Sequence, residues 1–333
     1  MRKKGGGRKK KSVEYPSLEK DLALLLESSV RGDPESKLLW TSKSTQKLAD
    51  ELKSKGYKIS PRTVAKLLNE MDYSLQANKK TKEGLSHPDR NKQFEHINDK
   101  VKEFQAAKQP VVSVDTKKKE LIGNFKNGGR EYAKKENPIE VKSHDFEDPA
   151  LGKAVPYGVY DVAQNEGWVN VGINNDTAEF AVAGIRKWWQ IMGKDRYPNA
   201  TRLMITPDCG GSNGYKIRLW KVELSKFAME AGLELHVSHL PPGTSKWNKI
   251  EHRMFSFITQ NWRAKPLLSL KTVVSLIAAT TTIKGLKIRC DVDNKEYVKG
   301  IKISDDELKK INIRYGDFHG EWNYIIFPYE KSL

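Results

Sequence analysis

The order of elements after residue 110 constrains this chain more than any other feature. Val111-Val112-Ser113-Val114 is a short apolar run ending at Asp115, of a length that suits one buried strand. Tyr157–Val162 and Trp168–Ile173 are strand-like and are separated by the turn-forming Gln164-Asn165-Glu166-Gly167, which predicts a hairpin. Asp176 with Glu179 marks a helix start, and that helix buries Ala181, Ile185, Trp188, Trp189 and Met192. Leu203-Met204-Ile205 gives another strand, ending at Asp208. A helix carrying Ile217, Trp220, Leu224, Phe227 and Ala228 follows and stops at Gly232. Leu233–Leu240 alternates through Leu233, Leu235 and Val237. Pro241-Pro242-Gly243 breaks it, and Ser245 opens a helix to about Trp262. Strand, hairpin, helix, strand, helix, strand, helix is satisfied by a mixed sheet that starts antiparallel and continues through right-handed crossovers, with helices on its faces.

That succession is the α/β, ribonuclease-H-like arrangement. It places a core at residues 110–265, with the charged stretch 116–155, containing Gly128-Gly129 and Pro138, as an insertion. Residues 266–333 extend the core with a helix (Val273, Leu276, Ile277), a strand pair near 286–303, a helix start at Ser304…Glu307 and an aromatic end around Trp322 and Tyr324. Residues 81–109 form a polar linker with one helix (Phe94, Ile97, Val101, Phe104). The region 16–80 is helical throughout. Its first helix runs from Pro16-Ser17 to about Glu27 and buries Leu22, Leu25 and Leu26. A second carries Leu48, Ala49 and Leu52 and ends near Gly56. Ser60-Pro61 then supplies an N-cap and a proline at the first helical position. Val64, Leu67, Leu68 and Met71 fall at i, i+3, i+4 and i+7, which leaves Arg62, Thr63 and Lys66 outward. Two short helices around a tight turn fit a helix-turn-helix whose second helix reads a major groove; an ordinary helical hairpin has the same periodicity. Residues 1–15 read as a flexible basic arm, with seven Lys/Arg among the first twelve.

Charge narrows the partner. The formal net charge is +17 over 333 residues, and such a surplus favours a polyanion because each neutralised phosphate releases condensed counterions. Basic ribosomal and membrane-surface proteins share the signal; nucleic acid is the expected partner. No apolar run approaches the ~20 residues of a membrane span, and the basic N-terminus lacks the apolar stretch of a secretory signal. Two cysteines, Cys209 and Cys290, make neither a disulfide framework nor a four-cysteine metal site, so the chain reads as cytoplasmic. No Ser/His/Asp triad or phosphate-binding P-loop is evident, and no nucleotide cofactor is expected.

Three acids occupy positions suited to a metal site. Asp115 and Asp208 end strands, and Glu251 sits early in the last core helix, with gaps of 92 (208 − 115 − 1) and 42 (251 − 208 − 1) residues. Phosphoryl transfer in DNA uses two divalent cations about 3.5–4 Å apart, and magnesium takes hard oxygen ligands, one or two carboxylates per ion. Spacing alone is weak evidence among 42 acids; local context strengthens it. Asp208 precedes Gly210-Gly211-Ser212-Asn213-Gly214, a bend that admits a phosphate or simply turns the chain. In the last helix Asn248 and Glu251 are expected on one face, with Trp247, Ile250 and Met254 burying the adjacent stripe. Lys246, Lys249 and Arg253 flank Glu251 and suit DNA phosphates, although a solvated helix face has the same composition. Asp161 or Asp176 would replace Asp115 in a different strand register; otherwise Asp176 is an N-cap and Asp161 a hairpin residue near the site. His236, His239 and His252 suggest zinc, but on an alternating strand 236 and 239 point to opposite faces. Trp188 and Trp189 at helical spacing read as core.

The segment Pro241-Pro242-Gly243-Thr244-Ser245-Lys246-Trp247-Asn248-Lys249-Ile250-Glu251 resembles the Pro-Pro…Asn-x-Ile-Glu signature around the last acid of mariner-like and related insertion-sequence transposases. With Ser113-Val114-Asp115-Thr116-Lys117-Lys118-Lys119-Glu120, Pro156-Tyr157-Gly158-Val159-Tyr160-Asp161 and Gly320-Glu321-Trp322-Asn323-Tyr324, the chain resembles the Rhodopirellula-type DDE transposases of bacterial insertion sequences along most of residues 40–327. One departure is Pro207 and Cys209 beside Asp208, where smaller residues are expected. The resemblance implies a ribonuclease-H-like catalytic core, an N-terminal DNA-binding region, and Mg2+ or Mn2+, two ions per site. By motif position it makes Asp115, Asp208 and Glu251 the metal ligands and catalytic residues. Arg62, Thr63, Lys66, Lys246, Asn248, Lys249 and Arg253 are the expected DNA contacts. The implied chemistry is cleavage at the element's terminal repeats and 3′-hydroxyl strand transfer into target DNA, carried out by a homo-oligomer on DNA. A nuclease without strand transfer and an inactive, domesticated DNA-binding protein of the same fold are the alternatives.

Overall fold

The structure, a computed structural model, describes residues 10–27, 30–32, 39–41, 44–74, 87–132, 134 and 137–329. It divides into two compact units, Met1–Thr81 and Lys82–Leu333. Among the described residues no helix is long and apolar enough to cross a membrane.

The first unit contains α1 (Lys11–Glu14), α2 (Leu18–Glu27), a short antiparallel pair β1 (Val30–Gly32) and β2 (Leu39–Thr41), then α3 (Thr45–Ser54) and α4 (Pro61–Glu70). Two features depart from the sequence reading. One helical turn, α1, lies within the arm assigned as flexible, whose residues 1–9 fall outside the described residues. The β1–β2 pair sits where only helix was expected. The α3–α4 pair follows local chemistry closely. Ser44 and Ser60 accept from the N–H groups of Lys47 and Thr63 at 3.2 and 3.3 Å, and Pro61 needs no N–H partner at the first helical turn. Gly56 takes φ +90° in the turn between them, a conformation other residues adopt at a cost. Leu18, Leu22, Leu26, Leu48, Leu52, Val64 and Leu67 close the small core. The Tyr57 hydroxyl joins the carboxylate of Asp21 and, at 2.8 Å, Ser17.

The second unit opens with α5 (Arg90–Ala106) and continues through β3 (Val111–Thr116), β4 (Glu120–Leu121), β5 (Lys153–Asp161), β6 (Glu166–Gly172), α6 (Ala178–Trp188), α7 (Lys194–Arg196), β7 (Arg202–Thr206), α8 (Arg218–Ala231), β8 (Glu234–Ser238), α9 (Ser256–Asn261), α10 (Leu270–Ala278), β9 (Lys287–Asp293), α11 (Asp305–Lys309), β10 (Ile313–Tyr315) and β11 (Asn323–Ile326). The sheet order is β10-β11-β8-β7-β3-β5-β6-β9, with β4 pairing onto β5. Strands β3, β5 and β6 form an antiparallel meander, and β7 and β8 continue from β3 in parallel. This is the expected ribonuclease-H-like mixed sheet. The last third of the chain completes both of its edges. The strand pair expected near 286–303 is a single strand, β9, parallel to β6, and the aromatic C-terminal end supplies β11 and β10 beyond β8.

Period-two alternation sorts β3 between two cores. Val112 and Val114 face α6 and α8, whose Phe180, Ile185, Trp188, Trp220, Leu224 and Phe227 fill that side. Val111 packs with α5 through Ile97, Val101 and Phe104. Ser113 therefore shares the α5 side, and so does Asp115. On that side Ile250, Met254, Phe255 and Ile258 pack on β5 and β6 with α10. The helix bearing Glu251 begins at Lys249, not Ser245: Ser245–Trp247 is a separate 3-10 turn and Asn248 is extended (φ −60°, ψ 129°). Residues Glu251–Phe255 are π-helical before α9 continues. Trp247, expected to be buried with Ile250 and Met254, is instead 53% exposed, because the 3-10 turn removes it from the helical stripe.

One close approach sets where that helix lies. Gly158 pairs with Asp115 in the β3–β5 register, and a Cβ on it would meet Phe255 at 2.6 Å and Ile250 at 2.8 Å. Gly158→Ala is expected to lower the melting temperature by several degrees, since overpacking a filled core costs about 1–3 kcal/mol. Because Phe255 and Ile250 lie on the same helix as Glu251, that residue should be displaced with them. A melting temperature equal to wild type would show that the helix has room to move.

Candidate active site

The parallel register of β3 and β7 ends at the rung Ser113↔Thr206. Asp115 and Asp208 stand two residues beyond that rung on neighbouring strands, on the side of the sheet shared with Ser113. They line one cleft of about 250 Å³ with Thr116, Lys117, Asp176 and the Gly210–Asn213 turn. Glu251, on the helix that follows β8, does not line this cleft, but it is near enough that its charge acts on Asp115 and the charge of Asp208 acts on it. The link is Asn248, 1% exposed, whose amide donates to the Val114 carbonyl at 3.0 Å and to Asp115 Oδ2 at 3.4 Å. Ser113 Oγ donates to Asn248 Oδ1 at 2.5 Å and accepts from the Ile250 N–H at 3.1 Å. Strand and helix start are thus sewn together one residue before Glu251.

Electrostatics reflects this gathering. Burial, followed by the charges of Asp208 and Glu251, pushes the Asp115 carboxyl up to about 8. Burial also raises Asp208, against the Gly210 N–H at 3.1 Å and the Asn213 amide, while Asp176 adds to the rise. Burial raises Glu251; Lys117 and His252 oppose it and Asp208 assists. Each cause acts through the charged form, which low-dielectric surroundings and like neighbours disfavour. Lys117 is itself 6% exposed, bonded to Glu120 at 2.7 Å and seated 4.4 Å above the Trp262 ring. The three half-buried carboxyls feel one another's charge, though their oxygens do not all lie within 4.8 Å of one another; hard oxygen donors of this kind suit divalent cations such as Mg2+ or Mn2+.

The main chain at Asp208 is anchored from behind. His239 is fully buried, and burial drives it down to about 4, so it is neutral. Trp220 Nε1–H lies 2.9 Å from Tyr324 Oη, which lies 3.0 Å from His239 Nε2, and His239 Nδ1 lies 2.8 Å from the Asp208 carbonyl. Only one assignment satisfies every donor: indole to hydroxyl, hydroxyl to Nε2, and Nδ1–H to the carbonyl. Cys209 Sγ donates to the Leu240 carbonyl at 2.9 Å, and the Leu240 N–H donates to Pro207. The residues that depart from the expected small neighbours of Asp208 therefore pair with the chain after β8.

Two other acids fall differently from expectation. Asp176 is not the cap of α6; Thr177 is, accepting from the Phe180 N–H at 3.3 Å. Asp176 turns into the cleft and accepts from Thr116 Oγ1 at 3.2 Å. Asp161 pairs with Val112, three residues from Asp115 along the strand and therefore about 10 Å away. It accepts from the Tyr197 hydroxyl and the N–H groups of Ala163 and Gln164, so it caps the hairpin and lies away from the cleft. His236 packs on Phe104 while His239 contacts Tyr324. Trp188 is buried.

Among the expected DNA contacts, Asn248 is committed to β3. Lys249 and Arg253 are exposed and line a groove of about 510 Å³ with Tyr160, Trp247, His252 and Lys284. Lys246 is exposed, its ammonium 5.4 Å above the Trp247 ring, and its carbonyl is bonded to His252 Nε2. In the first unit Arg62 and Lys66 are exposed and Thr63 is half-buried. All three line a groove of about 980 Å³ with Lys10, Lys11, Lys53 and Lys58. Sequence reasoning missed the parts played by Lys117 beside Glu251 and by His239 behind Asp208, and the Tyr157–Asn213 bond of 2.9 Å under the glycine turn. Only strand alternation could have hinted at any of them.

Comparison with known proteins names the family. The model described as the Rhodopirellula transposase DDE domain matches residues 21–328. No curated protein matches the sequence. Among solved structures the chain is similar to "Mos1 transposase paired-end complex with left transposon end", at 13% identity and a TM-score of 0.41 over 82% of this chain and 72% of that one. It is also similar to "Crystal structure of the Mos1 mariner paired end complex with Mn", at 13% identity and a TM-score of 0.42 with the same coverage. Likeness that distant carries no weight for chemistry. The family match spans nearly the whole chain, and on that ground the protein belongs to the Rhodopirellula transposase DDE-domain family, a family of DNA-processing enzymes.

Proposed function

We propose that this chain is an insertion-sequence transposase that cleaves DNA at the element's terminal repeats and transfers the freed 3′-hydroxyl into target DNA, with Asp115, Asp208 and Glu251 as its metal-binding catalytic residues. The observation that carries this is the crowding of those three acids at one end of the sheet, where burial and mutual repulsion hold the Asp115 carboxyl near 8. When bound, two Mg2+ or Mn2+ ions neutralise the charge that builds on the attacking and leaving oxygens of an in-line displacement. The protein's own residues hold and orient. Asn248 fixes Glu251 relative to Asp115, the His239 chain fixes Asp208, and Lys117 offsets part of the negative charge. Lys249 and Arg253, with Lys246, hold DNA phosphates beside the cleft. Hydrolysis of one phosphodiester leaves a 3′-hydroxyl; that hydroxyl then attacks a target phosphodiester and expels its 3′ oxygen as a new strand end. A homo-oligomer working on paired ends in the cytoplasm, at the nucleoid, completes the reading.

The test is a strand-transfer assay on DNA carrying the element's two ends with Mg2+. Joined products support the proposal. Hydrolysed ends alone would make the protein a nuclease, and binding without cleavage an inactive relative.

In the first unit, the basic groove along α4 is proposed as the face that meets the terminal repeat. Arg62→Ala is expected to weaken binding to that repeat about tenfold in fluorescence anisotropy. If the guanidinium contacts phosphate, the salt dependence should also lose about one unit of slope. Binding equal to wild type at every salt concentration would remove α4 from the interface.

A further inference from the structure

Outside the cleft, one cluster has different chemistry from the three acids. His87, Asp89 and His319 each offer a donor atom within 4.8 Å of the other two, and all three are half-buried. His319 Nε2 lies 3.1 Å from Asp89 Oδ2, and its Nδ1 lies 2.9 Å from Glu321 Oε1. The rings are held by packing. His319 stacks on Trp322 at 4.2 Å and 17°, and His87 stands edge-on to both, at 5.0 Å from His319 and 4.8 Å from Trp322. His319 holds its place with a left-handed backbone, φ 43°.

We propose that His87, Asp89 and His319 form a transition-metal site, with zinc as the expected ion, that clips the start of α5 to the turn before β11. Two imidazoles and one carboxylate suit zinc; magnesium and calcium seek oxygen alone. Glu321 on the far nitrogen of His319 is a positioning residue, in the manner of the carboxylates that orient metal-bound histidines and raise their basicity. Partial exposure leaves a path for the ion and room for water as a further ligand. Binding releases the proton of His319 Nε2 to solvent and replaces the direct Asp89–His319 bond; His87 Nδ1 accepts from the Asp89 N–H at 3.2 Å, and Asp89 Oδ1 also pairs with Lys92 at 3.2 Å. The clip does not stand alone. One turn along α5, Gln93 and Asn323 exchange amide bonds at 2.8 and 2.9 Å, and Gln93 also donates to the His239 carbonyl at 2.8 Å. The metal would thus fasten the end of a buried polar chain that leads to the main chain of Asp208.

The experiment is calorimetric titration of Zn2+ into chelator-stripped full-length protein in millimolar Mg2+, which occupies oxygen-only sites. One equivalent should bind the wild type with a Kd of about 10 µM or tighter. It should be lost in His87→Ala and His319→Ala and weakened about 10–100-fold in Glu321→Gln, which keeps all three ligands. Asp115→Asn/Asp208→Asn should bind that equivalent as the wild type does. Circular dichroism of each variant checks folding. If a histidine variant does not fold, Glu321→Gln and the double aspartate variant decide. Absence of the equivalent in the wild type, its persistence at full strength in either folded histidine variant or in Glu321→Gln, or its loss in the double aspartate variant overturns the proposal.

Discussion

Asp208→Asn and Asp115→Asn should each reduce strand cleavage by at least about a thousandfold while leaving binding to the terminal repeats within about twofold of wild type. A thousandfold corresponds to about 4 kcal/mol of lost transition-state stabilisation. The asparagine keeps the shape of the side chain and can still accept from the Gly210 N–H at position 208 or the Thr116 N–H at position 115, so the fold should be undisturbed. What it loses is the negative charge that would hold a divalent cation. Glu251→Gln should behave alike, since its backbone is fixed through Asn248 and Ser113 and not by its own carboxylate. Single-turnover cleavage with a labelled end substrate is the measurement. Near-normal turnover by any of the three would remove that residue from the site.

The second large effect concerns stability without metal. Asp115 rises from an ordinary 3.8 to about 8 in the folded protein, so the folded state holds a proton that the unfolded state has released. The contribution of this group to stability is therefore greatest below about pH 4, declines as the pH rises through this window, and levels off above about 8, for a loss on the order of a few kcal/mol. Melts of chelated protein at pH 5.5 and 8 should show this decline in the direction opposite to ordinary acid denaturation, superimposed on the rest of the molecule's titration. Mg2+ should restore the value at pH 8, because a cation that binds only the folded state stabilises it by mass action. Asp115→Asn should flatten both responses. A wild-type protein whose pH 8 stability ignores Mg2+ would show that the acids are not crowded enough to need a cation.

Local chemistry was written plainly in the chain. Ser60-Pro61 and the spacing of Val64 and Leu67 specified α4, because caps and apolar periodicity act within a few residues. The apolar run ending at Asp115, the hairpin after it and the stop at Gly232 specified their elements for the same reason. Element order then limited the sheet to a meander followed by parallel crossovers, and this is the sheet found. Asp115 and Asp208, with 92 residues between them (208 − 115 − 1), could be recognised as strand-end acids and Glu251 as an acid early in the last core helix; the family motif then gave all three a role.

Other features depended on distant partners. Ser245 to Asn248 looked like helix by spacing, yet the pull of Ser113 and Val114 on the Asn248 amide holds that residue extended and delays the helix to Lys249. Asp176 carries the chemistry of an N-cap, but Thr177 took the cap and freed the carboxylate to meet Thr116 across 60 residues. The single strand β9 and the edge strands β10 and β11 found their places only because β6 and β8 offered unpaired backbone. The sequence by itself determined which segments are strands and helices and which acids stand at their ends, since those depend on neighbours in the chain. Tertiary structure decided the register that sets Asp115 beside Asp208, the inward turn of Asn248 and the meeting of His87 with His319, because each is fixed by hydrogen bonds and packing between residues that no local pattern connects.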